Sequence, residues 1–134
     1  MNYDTFVGQV QHRARLGSKG DAVAAIRSTL ETLAERLTME EARDLASQLP
    51  REIGIYLAIM PELYAQRMSL DDFFQLVAAR GGVDVPGAVY HARVVMEVLG
   101  EAVSPGEIQD ICAQLPEEFR SLIEAGSHGQ LKRH

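Results

Sequence analysis

A Gln-Leu-Pro phrase occurs twice in this chain, in Ser47-Gln48-Leu49-Pro50 and, 66 positions later, in Ala113-Gln114-Leu115-Pro116. The flanking residues pair at the same offset: Ala22 with Ala88, Arg27 with Arg93, Glu31 with Glu97 and Leu33 with Leu99. Glu35 then matches Glu101, Glu41 matches Glu107 and Asp44 matches Asp110. About a third of the positions from Asp21 to Leu57 are identical to their partners from Gly87 to Ile123. One supersecondary unit used twice constrains a fold more tightly than any bulk composition does.

The punctuation inside each copy is helical. Ser104-Pro105-Gly106-Glu107 combines an N-cap serine, a proline at the first helical position and a capping-box glutamate. Thr38-Met39-Glu40-Glu41 is its counterpart without the proline, and Ser69-Leu70-Asp71-Asp72 starts another helix with acids in its first turn. Each Leu-Pro predicts a tight corner with the leucine buried and the proline at the start of the next helix.

Four helices per copy follow. The first covers about Tyr3 to Leu16 and Leu70 to Arg80, and the second about Asp21 to Leu37 and Pro86 to Val103. The third covers about Met39 to Gln48 and Pro105 to Gln114, and the fourth starts near Pro50 and Pro116. In the long helices Ala22, Ile26, Leu30, Leu33 and Leu37 share one face, and Ala88, Ala92, Met96, Leu99 and Val103 repeat it. The expected fold class is all-α: two pseudo-symmetric four-helix repeats, about 3–66 and 69–124, packed into one compact domain spanning 1–134. A flexible polar tail is expected over 126–134.

The copies differ where it bears on packing. Val94, Val95 and Val98 stand where the first copy has Ser28, Thr29 and Thr32, giving the second long helix an extra apolar stripe on which His91 also lies. After Pro50, Ile55 and Ile59 accompany the stripe of Ile53, Tyr56, Leu57 and Met60. A helix apolar on more than one side is buried on more than one side. Ile55, Ile59, His91, Val94 and Val98 are therefore expected at the junction of the halves. If those stripes face water instead, they form a dimer contact.

Composition excludes several partners. The net charge of −6 and the scattered Lys and Arg are the reverse of a nucleic-acid-binding surface. No apolar run approaches a membrane span and no charged-then-apolar leader opens the chain, so no membrane partner and a cytoplasmic location are expected. The lone Cys112 excludes an intramolecular disulfide and a cysteine zinc site. It takes the place of Ala46 and reads as a small core residue.

No chemical motif stands out. The histidines (His12, His91, His128 and His134) show no pair at metal-binding helical spacing, so no metal and no cofactor are expected. Arg27 with Glu31, and Arg93 with Glu97, are spaced for ion pairs along their own helices. Glu35 with Glu41, or Glu101 with Glu107, are spaced for paired carboxylates across the turn between the second and third helices, either as an acid–base pair or as a cation site. Phosphate-loop, hydrolase-elbow and kinase patterns are absent, and no catalytic residue is assigned.

The opening Phe6-Val7 helix, the long helix ending Leu33-Ala34-Glu35-Arg36-Leu37, and Glu41-Ala42 leading to Gln48-Leu49-Pro50 resemble the bacterial domain of unknown function family 2267. The second copy fits as well, through Phe73 to Val77, Ala92 to Leu99, and Ser104 to Pro116 followed by Phe119-Arg120. The resemblance covers about Tyr3 to Glu124. Gly54-Ile55 against Arg120-Ser121, and the apolar connector from Ile59 to Met68, depart from it. It implies a small bacterial, helical, cytosolic protein and supplies no activity or catalytic residues.

The leading expectation is a non-enzymatic protein-interaction or scaffold module whose partner is another protein or itself, as a homodimer. The alternative is a carrier or sensor of a small apolar ligand held between the halves and lined by Tyr56, Met60, Tyr90 and Met96, with Met68 nearby. An enzyme built on Glu35/Glu41 or Glu101/Glu107 is a third reading, which requires those carboxylates to converge in a cleft.

Overall fold

The computed structural model describes residues 1–127. Among these there is no strand, and eight α-helices run in the order α1 (Tyr3–Arg13), α2 (Lys19–Arg36), α3 (Met39–Ser47), α4 (Arg51–Gly54), α5 (Leu70–Gly81), α6 (Val85–Ala102), α7 (Pro105–Gln114) and α8 (Arg120–Ser127). Short 3₁₀ turns cover Ile55–Leu57, Pro61–Leu63 and Glu117–Phe119. The fold is all-α, as the pattern predicts. No helix among the described residues is long and apolar enough to cross a membrane.

Caps set the helix starts. Thr38, Ser104 and Asp84 each accept a hydrogen bond from the backbone N–H three residues on. Among the described residues only Ser69 closes a full capping box, with Asp72 accepting from its N–H at 3.2 Å. α5 ends at Gly82, whose φ of +68° is the left-handed conformation that glycine adopts without steric cost. Pro50 and Pro116 sit at the N-cap, one place earlier than predicted, and Leu49 and Leu115 at the same corners are buried.

The two 18-residue helices α2 and α6 meet each other, and each first helix, α1 or α5, packs against both of them. Both predicted stripes are in the core: Ala22, Ile26, Leu30 and Leu33 on α2 with Leu37 at its C-cap, and Ala88, Ala92, Met96 and Leu99 on α6 with Val103 at its C-cap. Phe73 stacks edge-on against Phe119 at 5.5 Å, which ties the α7–α8 corner to α5.

The structure corrects two expectations. The fourth helix of the first copy does not run on to Met60. It stops at Gly54, and the chain is out of helical geometry from Ala58 to Met60, because Pro61 disfavours helix in the residue before it. The second-side burial is also not confined to α6. Ser28, Thr29 and Thr32 on α2 are buried as fully as Val94, Val95 and Val98. Polarity hid this, since the Thr32 hydroxyl donates to Ser28 O at 2.7 Å and that of Ser28 to Ala25 O at 3.2 Å. α8 continues to Ser127, two residues into the expected tail. The rest of that tail, with His128 and His134, lies outside the described residues.

Candidate functional site

Two regions stand out once the core is accounted for. The first is the connector between the copies. Tyr64 fixes it, donating its hydroxyl proton to Leu57 O at 2.8 Å and accepting from Ile59 N at 3.0 Å. Ala65 N and Gln66 N donate to Leu37 O and Glu35 O at the end of α2, and Arg36 donates to Gln66 O. The left-handed backbone of Ala65 (φ 58°) makes this return possible. The loop so held exposes three large apolar side chains within nine residues: Ile55 at 62%, Met60 at 61% and Leu63 at 41%.

The second region lies where contacts cross between the copies. Arg13 on α1 meets Glu97 at 2.6 Å and Glu101 at 2.7 Å on α6. Hydrogen bonding to Glu101 holds the guanidinium more firmly charged against the opposing effect of burial, and Glu97 adds to this. In the other direction, Arg80 on α5 meets Glu35 at 2.6 Å and donates to Thr32 Oγ1 at 3.0 Å on α2. The repeated glutamines cross in the same way. Ser104 N donates to Gln48 Oε1 at 2.7 Å, and Thr38 N donates to Gln114 Oε1 at 3.1 Å. Each third helix is thus capped by the glutamine of the other copy.

That exchange determines where two glutamates go. In a closed capping box, Glu41 and Glu107 would bond back to the N–H groups of Thr38 and Ser104. Those N–H groups are already occupied by glutamine. α3 packs against α7, and carboxylate oxygens of Glu41 and Glu107, residues 9% and 5% exposed, come within 4.8 Å of each other there. Burial pushes the Glu107 carboxyl up to about 8, helped by the bond to Glu41 and by the charges of Glu41, Asp44 and Asp110. The third-reading pairs are therefore separated: Glu35 and Glu101 are held by arginines, while Glu41 and Glu107 converge on each other across the copies.

Of the junction residues expected from sequence, Val94 and Val98 are fully buried, Ile59 and His91 are half-buried, and Ile55 faces solvent. Burial holds the His91 imidazole below its usual range, opposed by Asp21 and Asp84. Of the ligand-lining candidates, Met96 is in the core, Tyr56 is half-buried, Met60 is exposed, and Tyr90 turns its hydroxyl to Arg13 O at 2.7 Å. These four thus differ in environment, from the core to the solvent-facing surface. A cleft of about 220 Å³ does lie between the copies, bounded by Ala25, Ser28, Val77, Val83 and His91. Cys112 is half-buried beside a separate cleft with Arg120 and Glu124. Burial and then Glu124 raise its thiol, against the effect of Arg120.

Sequence reasoning missed Arg13 and Arg80, which lie outside the 21–57 and 87–123 alignment. It also gave the repeated glutamines no task beyond the corner. Their recurrence at the 66-residue offset was the available signal.

No curated protein matches the chain. Residues 3–122 match the family profile described as uncharacterized conserved protein (DUF2267). That span takes in both copies of the Gln-Leu-Pro phrase, both arginine clamps and the connector, and the chain belongs to the DUF2267 family.

Proposed function

We propose that the protein is a non-enzymatic helical interaction module whose contact surface is the connector, and that its simplest partner is a second copy of itself. The observation that carries this reading is the fixed loop presenting Ile55, Met60 and Leu63 to solvent. Large apolar side chains held in place by internal hydrogen bonds lose little freedom on docking, which favours association. The surrounding charges, Arg51, Glu52, Glu62 and Arg67, are mixed in sign. A mixed rim suits an isologous contact, in which the same patch serves both partners. It suits neither nucleic acid nor an acidic membrane surface, both of which call for clustered basic residues. The lone cysteine and the family resemblance favour a bacterial, cytoplasmic setting.

Sedimentation velocity over a wide concentration range tests this. A reversible dimer is expected, and the double substitution Ile55→Lys, Met60→Glu is expected to abolish it while leaving the helical circular dichroism unchanged. A wild-type chain that stays monomeric at the highest concentration removes self-association.

The inter-copy cleft beside His91 favours a second reading, a carrier or sensor of a very small apolar ligand. Its volume is below the roughly 300 Å³ at which drug-sized sites begin. Native mass spectrometry showing only bare polypeptide counts against that reading.

A further inference from the structure

We propose that Glu41, Glu107 and Asp110 form a site for a hard divalent cation, of which Ca²⁺ is the best fit, clamping α3 to α7. One carboxylate oxygen from each of the three lies within 4.8 Å of the others. No two ligands of one Ca²⁺ ion, each about 2.4 Å from it, can be more than about 4.8 Å apart, and the three oxygens meet that bound. Mg²⁺ draws its ligands closer, to about 2.1 Å, and demands a nearer-ideal octahedron. An all-carboxylate set is the donor chemistry of hard ions rather than of zinc or copper.

A second observation points the same way. Glu41 Oε2 and Glu107 Oε2 are buried, and neither accepts a hydrogen bond from any N–H or hydroxyl among the described residues. Buried carboxylate oxygens without donors are costly, and a cation is the ligand that relieves them. The charges of Glu41, Asp44 and Asp110 that act on Glu107 are acidic. Asp110 is exposed, which leaves the site a solvent-facing side through which an ion enters and on which water completes the coordination.

The arrangement follows from the glutamine exchange. Gln48 and Gln114 take over the capping N–H groups, and this frees both glutamates to face one another. The site is therefore independent of the connector surface.

The test is calorimetric titration of the full-length chain, stripped with chelator and held near pH 8, with CaCl₂, MnCl₂ and MgCl₂ in turn. Saturable binding of one Ca²⁺ per chain is expected, with a rise in melting temperature. Glu107→Gln and Asp110→Asn are each expected to weaken binding by about tenfold or more. Asp110 is on the surface, so its variant reports on the site even if Glu107→Gln perturbs folding. Absence of saturable binding with all three ions overturns the proposal, as does binding that both folded variants retain.

Discussion

A glutamate three residues after a helix-capping serine ordinarily bonds back to that serine. Glu107 is denied this partner and keeps its proton up to about pH 8, whereas its ordinary value is 4.5. Between those values the folded chain holds a proton that the unfolded chain releases. Stability is therefore greatest below the unfolded value and is lost as pH rises from about 4.5 to about 8, by at most about 1.4 kcal/mol per unit. Urea unfolding in chelator across this range should show the decline, and Glu107→Gln should flatten it. A pH-independent wild type contradicts the burial of this acid. At Gly54, an added Cβ would sit 3.0 Å from Ala46 O, so the α3–α4 corner has no room for a side chain. Gly54→Ala is expected to destabilise by about 1–2 kcal/mol in urea titration, overriding the helix preference of alanine.

Between elements, the two glutamine caps are separable contacts. Gln48→Ala removes the acceptor for Ser104 N and Gln114→Ala the acceptor for Thr38 N, each expected to cost about 1 kcal/mol. Gln48→Ala also returns the Ser104 N–H to Glu107. The decline of stability with pH should then become shallower, a change that simple loss of a cap does not produce. Helix existence was legible because caps mark the starts of α3, α5 and α7 and the 3.6-residue stripe marks α2 and α6. The fourth helix of the first copy was not, since Ile53, Tyr56 and Leu57 keep helical spacing while Gly54 and Pro61 limit its length. Of the crossing site, periodicity showed only the duplicated glutamates. Which glutamate meets which arginine depends on how helices far apart in sequence approach, and no local spacing encodes that.

Across the whole molecule, the arginine clamps bind each copy to the other. Arg13→Ala leaves Glu97, 3% exposed in its side chain, without this counter-charge, and a loss of about 2–4 kcal/mol is expected from chemical denaturation. Arg13→Lys should not restore it, because one ammonium cannot reproduce the forked contact to Glu97 and Glu101. Arg80→Ala, at a more open pair, should cost about 1 kcal/mol or less. Fragments 1–66 and 67–134 should each be largely unfolded alone by circular dichroism and regain helix when mixed. Independent folding of either fragment contradicts the mutual dependence of the copies.

The reciprocal capping of Thr38 and Ser104 has a kinetic corollary. Were the copies separate chains, these same contacts would form only at each encounter, and their occupancy would track protein concentration. The fixed connector holds the two sets of partners at an effective concentration on the order of millimolar or above. The junction thus stays closed at any dilution, and the surface left over for concentration to act upon is the tether itself.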